Sequence, residues 1–486
     1  MTLPDLSDTI VALATPPGTG AIAVIRLAGP EAIALADRMF KGRVLAGQAT
    51  HTAHFGRIED PADGKAVDEV LVTLFRAPRS YTGDDAVEIS CHGSPYIQQE
   101  IIRICLQQGA RLAQPGEFTL RAFLNGKIDL SQAEAVADLI ASQSGAAHDV
   151  ALRQLRGGFR TEISRLREEL IHFASLVELE LDFSEEDVEF ANRSDLKALV
   201  EKIRQYTQSL LGTFRLGNAL KTGVATVIAG RPNAGKSTLL NALLNEERAI
   251  VSDIAGTTRD TIEEALNIRG VQFRLIDTAG IREAQDAIEA IGVQRTMEKV
   301  REASVLCYVW DVAGGMTLAD LFADLKKLDH EDVKLLVLCN KMDRNPYFQA
   351  EWLSDPLQPG IHPYLLGDPP ADLSAFAGFL SQEQIVPISA KHQQNIAFLK
   401  EKLFELVVGG ELEPDATIVT NARHYDALRR ADESLGEVLD GLERGITGDF
   451  IAMDIRRALN FLGEITGEIG VEDLLGNIFG KFCVGK

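Results

Sequence analysis

Three textures of hydrophobic and polar positions follow one another along the chain. Residues 1–118 carry short apolar, β-branched runs: IAVIRLAG (Ile22–Gly29), DEVLVTLFRAP (Asp68–Pro78) and DAVEISCHG (Asp85–Gly93). Gly and Pro turns separate them, and one helical stretch lies near 96–108, so the pattern predicts an α+β domain. From about Leu130 the spacing becomes helical. Ile163, Leu166, Leu170, Phe173 and Val177 recur at three- and four-residue steps and share one helix face. ELELDFSEEDVEF (Glu178–Phe190) interrupts this face and reads as a solvated acidic bend, with a metal site as the other reading. Helical spacing resumes through Leu211. Between Gly223 and Ser389 strand-like runs alternate with helical ones, which predicts a parallel α/β sheet. Beyond Lys391 the pattern is helical again. Two helical segments flanking an α/β unit imply one helical domain with the α/β domain inserted into it.

Composition bounds this picture. A chain of 486 residues exceeds one core. No run approaches the roughly 20 apolar residues of a membrane helix, and the N-terminus lacks the pattern of a secretory signal. Five scattered cysteines (Cys91, Cys105, Cys307, Cys339, Cys483) form no CxxC pair. They fit a reducing compartment, and the expected location is cytoplasmic. A net charge of −22 argues against nonspecific nucleic-acid binding, while leaving room for a local basic patch.

The strongest chemical signal is GRPNAGKS (Gly230–Ser237), set between strand-like VATVIA and helical TLLNALLN. In that context the pattern predicts a P-loop, whose backbone N–H groups curl around phosphates at a helix N-terminus. Lys236 would reach the β- and γ-phosphates and the Ser237 hydroxyl would ligate Mg²⁺. FRLIDTAG ends a buried strand on Asp277, followed by Gly280, whose N–H can meet the γ-phosphate. GTTRD offers Thr258 as a second Mg²⁺ ligand. KLLVLCNKMD leads into Asn340, Lys341 and Asp343, and the Asp343 carboxylate can accept from N1–H and the 2-amino group of guanine, a donor pair adenine lacks. ISAK (Ile388–Lys391) supplies a backbone amide to the base carbonyl. These elements resemble those of translation-factor-like GTPases and specify GTP over ATP. Ile281 stands where small GTPases often carry a water-orienting Gln. Arg231, Arg259 and Arg282 are candidate fingers, with a structural role as the alternative. A monovalent cation near Asn233 is another source of the missing charge. Glu289, twelve residues past Asp277, is a candidate to orient the water.

The flanking motifs narrow the family. TPPGTGAIAVIRLAGP (Thr15–Pro30), RSYTGDDAVEISCHG (Arg79–Gly93), PGEFTLRAFLNGKIDLSQAEAVADLI (Pro115–Ile140), IAGTTRDTIEE, DTAGIREAQDAIEAIG and terminal FCVGK resemble the MnmE (TrmE) family of tRNA-modification GTPases. The resemblance runs nearly end to end. It implies an N-terminal folate-binding and dimerisation domain (1–119), a helical domain in two parts (120–218 and 399–486) and an inserted Ras-like P-loop GTPase domain (219–398). It further implies a GTPase within a complex that adds an aminomethyl or carboxymethylaminomethyl group to C5 of the wobble uridine of tRNA. The one-carbon unit would come from a tetrahydrofolate derivative, 5-formyl- or methylene-tetrahydrofolate. The implied partners are a second copy, tRNA and the FAD-containing MnmG (GidA) in a heterotetramer, with no membrane.

Carried over by motif, the GTP contacts are Asn233, Ala234, Gly235, Lys236, Ser237 and Thr238; Ser252, Asp253, Ile254, Ala255, Gly256, Thr257 and Thr258; Asp277, Thr278, Ala279 and Gly280; Asn340, Lys341 and Asp343; and Ser389, Ala390 and Lys391. K⁺, which would support dimerisation of the GTPase domains, falls on Asn233, Ser252, Ile254 and Thr257. Mg²⁺ falls on Ser237 and Thr258, and the water-positioning role on Glu289. Folate falls on Arg26, Glu88, Lys127 and Lys486. Cys483 would take part in the modification chemistry, its role left open. Leu474, Leu475, Ile478, Phe479 and Phe482 at helical spacing would dock the tail. Arg344–Pro387, rich in proline and aromatics, looks longer than is usual and reads as a surface insertion, with a partner-docking loop as the alternative. A ribosome-assembly GTPase acting as an RNA-binding switch is the competing function.

Overall fold

The computed structural model describes residues 7–182, 193–244, 263–277, 299–301, 303–330, 333–367, 372–409 and 417–468, and in the terminal segment 475, 478–480, 482 and 485. It divides into two compact units. One comprises Met1–Ala141, Ala151–Leu211 and Arg423–Lys486, the other Ser142–Val150 and Gly212–Ala422. The second unit is therefore inserted in the chain of the first.

The first unit opens with seven strands: β1 (Ile10–Leu13), β2 (Ile22–Ala28), β3 (Phe40–Lys41), β4 (Thr52–Glu59), β5 (Ala66–Phe75), β6 (Ala86–His92) and β7 (Arg111–Leu112). They form one sheet in the order β3-β4-β5-β6-β2-β1-β7. Alternation along a strand sends successive side chains to opposite faces. In β2, Ala23, Ile25 and Leu27 enter a core with Val72, Val87 and Ile89, and with residues of α1 (Ala32–Met39) and α2 (Pro95–Gln107). Val24 and Arg26 consequently point to the other face. The β2–β6 register sets Arg26 directly opposite Glu88.

Five helices follow: α3 (Glu117–Leu124), α4 (Leu130–Ala141), α5 (Gly145–Leu155), α6 (Gly158–Asp182) and α7 (Arg193–Thr222). Of the face expected on α6, Ile163, Leu166, Leu170 and Val177 are buried and Phe173 packs partly buried. The acidic bend falls largely on 183–192, outside the described residues.

The second unit contains β8 (Val224–Ala229), α8 (Lys236–Leu244), β9 (Glu263–Ile268), β10 (Val271–Asp277), β11 (Val305–Asp311), α9 (Leu318–Leu328), β12 (Lys334–Asn340), α10 (Glu351–Ser354), α11 (Pro363–Leu366), β13 (Ile385–Pro387) and α12 (Ile396–Val408). Its sheet runs β13-β12-β11-β8-β10-β9, with helices burying apolar side chains on both faces. The sheet is parallel as expected except at one edge, where β9 pairs antiparallel with β10. Between them Arg269 and Gly270 both take positive φ, 52° and 84°, the backbone of a tight two-residue hairpin. The Asn267 side-chain oxygen closes the turn by accepting from the Gly270 N–H at 2.9 Å.

The 344–387 segment also differs from a surface excursion. Phe348, Trp352, Leu353, Leu365, Leu373 and Leu380 are buried against Trp310, Phe322 and Leu325. Phe376 stacks on Phe322 at 4.8 Å between ring centroids. At about 1.5–3 kcal/mol for each large apolar side chain removed from water, this is core.

The chain re-enters the first unit with α13 (Ala422–Arg444) and α14 (Gly448–Thr466). Leu435, Val438, Ile451, Ile455 and Leu459 complete the core begun by α6 and α7. Arg423 and His424 close on buried Glu134 of α4. Arg423 Nε and a terminal nitrogen donate to its two oxygens at 2.9 and 2.8 Å, and His424 Nε2 lies 2.7 Å from the carboxylate. Arg423 also donates to the Ile465 carbonyl at 3.0 Å, capping the end of α14.

Candidate functional site

The P-loop connects β8 to α8, and its glycines are obligatory. A Cβ on Gly230, at φ 146°, would lie 2.3 Å from the Val309 carbonyl oxygen, and one on Gly235, at φ 100°, would lie 2.3 Å from Asn340 Nδ2. Only a bare backbone passes these neighbours. Asn233 is itself left-handed, at φ 62°, and exposed. Lys236 is buried, with its Nζ donating to the carbonyls of Gly230 at 2.8 Å and Arg231 at 3.0 Å. Ser237 and Thr238 are exposed on the first turn of α8. Arg231 leaves the loop sideways. Its Nε donates to Asp324 Oδ2 at 2.8 Å, and the Tyr308 hydroxyl donates to the same oxygen at 2.9 Å. That is the structural alternative rather than a finger.

The Asn340–Asp343 and Ser389–Lys391 loops converge on the P-loop from the ends of neighbouring strands. Asn340 Nδ2 donates to the Ala234 carbonyl at 2.8 Å, while its Oδ1 accepts from the Ala390 N–H at 3.0 Å. Asn340 therefore joins three loops. Lys341 Nζ donates to the Asn233 carbonyl at 2.8 Å and to Asp311 Oδ2 at 2.5 Å. The Ser389 hydroxyl donates to Asp343 Oδ1 at 2.6 Å. That hydrogen bond, outweighing desolvation and aided by a backbone hydrogen bond and the charges of His392 and Arg344, holds the carboxyl below the usual Asp range. Asp343 is thus kept as an acceptor. Lys391 is exposed beside this loop. Asp311 escaped the sequence reading, although a lone carboxylate ending the apolar run VLCYVWD was a signal that could have found it. Asp277 ends β10 as expected. Ser252–Thr258, Thr278–Gly280 and Glu289 lie outside the described residues.

In the first unit, the face of β2 and β6 turned away from α1 and α2 carries the other cluster. Arg26 Nε donates to Glu88 Oε1 at 2.9 Å, and a terminal nitrogen lies 2.7 Å from the same oxygen. The other terminal nitrogen donates to the Gly485 carbonyl at 3.4 Å. The guanidinium lies 5.7 Å from the Tyr81 ring centroid and 5.6 Å from that of Phe118. Lys127 Nζ donates to the Pro78 carbonyl at 2.9 Å, on the loop that carries Tyr81. The placement of Tyr81 and Phe118 beside Arg26 was not readable beforehand, because an aromatic in sequence carries no address. A Cβ on Gly485, at φ 94°, would lie 2.3 Å from the Leu13 carbonyl oxygen. The tail is seated by Leu475 and Phe479, buried with Leu120, Leu130 and Ala133, and by Ile478 and Phe482 packed beside them. Leu474, Cys483 and Lys486 lie outside the described residues.

Among the described residues no group of three or more His, Cys, Asp or Glu side chains could hold a metal ion, and no helix is long and apolar enough to cross a membrane.

The P-loop between β8 and α8 and the relatives named below place the chain in the class of P-loop GTPases, with GTP as its substrate. The family follows from comparison. The chain matches the family described as MnmE helical domain over residues 130–483, and the GTP-binding protein TrmE N-terminus over residues 9–127. It is 51% identical over 485 residues to the tRNA modification GTPase MnmE of Cytophaga hutchinsonii, with 100% of this chain and 99% of that one covered. It is 52% identical over 490 residues to the tRNA modification GTPase MnmE of Christiangramia forsetii, covering 99% and 100%. A crystal structure of Aquifex aeolicus Era bound to GDP.AlF4- is similar at 24% identity over 43% of this chain and 66% of that one, with a TM-score of 0.25, too low to carry an argument. The chain belongs to the MnmE family of tRNA modification GTPases. The competing reading as a ribosome-assembly switch falls with that membership.

Proposed function

We propose that the chain is the GTP-hydrolysing component of a complex that installs an aminomethyl or carboxymethylaminomethyl group at C5 of the wobble uridine of tRNA. Its one-carbon donor is 5-formyl- or methylene-tetrahydrofolate, and its partners are a second copy and the FAD-containing MnmG (GidA), in the cytoplasm. The observation that carries this reading is the meeting of Arg26, Glu88, Tyr81 and the Gly485 carbonyl on one sheet face. Folate combines an aromatic pterin bearing adjacent N–H donors with an anionic glutamate tail. A carboxylate, a carbonyl and an aromatic ring suit the first, and Arg26 and Lys127 suit the second. Residues 1–119 are assigned to folate binding and dimerisation, 219–398 to GTP, and 120–218 with 399–486 to the helical scaffold.

At the nucleotide, Lys236 neutralises charge on the β- and γ-phosphates, and Asp343 accepts from the guanine N1–H and 2-amino group. The exposed Ser237 hydroxyl, on the first turn after a loop open only to glycine, fits a Mg²⁺ ligand, with Thr258 as the second. The ion would supply charge neutralisation at the phosphates. Exposed Asn233 offers an amide oxygen to K⁺, joined by Ser252, Ile254 and Thr257. Glu289 orients the attacking water, since Ile281 has no group that can.

The test is removal of residues 483–486 from the full chain. Wobble-uridine modification with the FAD-containing partner and binding of 5-formyl-tetrahydrofolate are expected to be lost, while GTP hydrolysis stays within about two-fold. Full modification by the shortened chain overturns the assignment of the tail to the folate site.

A further inference from the structure

The Arg344–Pro387 segment does more than fill the core. The loop that carries Asp343 is held from two sides by the motifs themselves. The Met342 N–H donates to the Ile388 carbonyl at 3.2 Å, and the Ser389 hydroxyl binds the Asp343 carboxylate. A third hold comes from beyond the motif. Asn345, two residues past Asp343, donates from Nδ2 to the Val312 carbonyl at 3.1 Å. The Tyr364 hydroxyl donates to the same carbonyl at 3.3 Å, and its oxygen also accepts from Asn345 Nδ2. Val312 is a strategic anchor. It follows Asp311, the partner of Lys341, and its own N–H donates to the Asn340 carbonyl at 3.1 Å.

Tyr364 is presented rigidly. It sits in α11 beside Leu365, which is fully buried in the core containing Trp310, Phe348 and Trp352. The inserted segment thus reaches the back of the Asp343 loop with a hydroxyl on a ring that is itself 37% exposed, held by its hydrogen bonds and by the burial of neighbouring Leu365.

We propose that Asn345 and Tyr364 are positioning residues that fix the Asp343 carboxylate for guanine discrimination, making the 344–367 stretch a brace of the base-reading loop. The inference rests on Asp343 reading the guanine 2-amino group. A loop free to shift would keep its contacts to ribose and phosphate while losing the two-point fit to N1–H and the 2-amino group. The cost would fall on base choice rather than on binding in general.

The experiment compares GTP with ITP, which lacks the 2-amino group, in the full-length protein. KM and kcat are measured for Tyr364→Phe, Asn345→Ala, the double variant, Asp343→Asn, and Tyr347→Ala, an exposed change in the same segment. Tyr364→Phe keeps the ring and removes only the hydroxyl. One net hydrogen bond corresponds to roughly 2- to 12-fold. The GTP-over-ITP preference in kcat/KM is expected to fall by that factor in each single variant, through KM for GTP, with kcat held within about two-fold. The double variant should fall little further, since both groups share one acceptor, and Tyr347→Ala should match wild type. An unchanged preference in both single variants, or equal weakening of GTP and ITP, overturns the brace. Loss of preference in Asp343→Asn alongside such a result leaves the base-reading assignment standing, whereas an unchanged preference in Asp343→Asn overturns that assignment as well.

Discussion

Under the proposed function, Asp343 is the side chain that would select the nucleotide. Its carboxylate is kept ionised by the Ser389 hydroxyl and can only accept, which matches the two donors on the edge of guanine. Asp343→Asn replaces one acceptor by a donor, leaving it facing the guanine 2-amino group while fitting the carbonyl that xanthine carries there. A hydrogen bond to a charged group contributes about 1.5–3 kcal/mol, so losing the one to the 2-amino group should weaken GTP by roughly 12- to 160-fold. Competition between GTP and XTP for the labelled variant checks this, and retained GTP preference would remove Asp343 from base reading. Not every residue of the motif acts through the base. Asn340 spends both its polar atoms on Ala234 and Ala390, so it contributes by joining loops. The motif was legible in sequence, but this division of labour was not, because it depends on which backbone groups the strand ends bring within reach.

At the scale of elements, α4 and the start of α13 meet through a charged node inside the first unit, Glu134 with Arg423 and His424. Burial works to raise the Glu134 carboxyl, yet the charges and hydrogen bonds of His424 and Arg423 outweigh it and hold the group at about 2, against an ordinary 4.5. A carboxyl whose folded value is depressed stabilises the fold above its unfolded value and loses that contribution as pH falls through the folded one. The window is therefore pH 4.5 down to about 2. Glu134→Gln should cost about 3–5 kcal/mol at pH 7 by leaving a buried cation unpaired, with the gap to wild type narrowing through that window. Urea unfolding monitored by far-UV circular dichroism at stepped pH measures it, and a gap constant with pH would refute the account. Helical periodicity identified α6 correctly because its apolar face is continuous. It could not reveal that 344–387 sends Phe348, Trp352, Leu353, Leu365, Leu373 and Leu380 into the core, since prolines and one-turn helices there carry no period. The antiparallel β9 was hidden for a related reason, as a two-residue turn at Arg269–Gly270 decides direction while the strand pattern is the same either way.

At the scale of the molecule, the chain divides into two compact units, and the proposed function puts folate and nucleotide in different ones. The nucleotide unit carries no arginine finger among its described P-loop residues, since Arg231 is held by Asp324. If a cation bound at Asn233 supplies that charge and supports pairing of two copies, GTP turnover should rise several-fold when Na⁺ is replaced by K⁺ at constant ionic strength. The rise should also grow with protein concentration. Steady-state phosphate release in the two salts decides it, and equal rates would remove the cation from the mechanism. The net charge of −22 adds a constraint, because tRNA must approach a body that repels it and must therefore meet a local basic surface.

The terminal FCVGK marks the boundary between what was readable and what was not. Sequence alone determined the nucleotide, its base and the family, because a phosphate cradle and a guanine edge each demand particular residue types at short, fixed spacing. It also determined that the tail docks, since Leu475, Ile478, Phe479 and Phe482 repeat at helical steps. Where the tail docks was decided only by tertiary structure. Gly485 reaches Arg26 across 459 positions, and that meeting exists because Leu475 and Phe479 find a buried seat among Leu120, Leu130 and Ala133. Burial of apolar surface is blind to sequence distance. Gly485 therefore joins a face built by the chain's first strands.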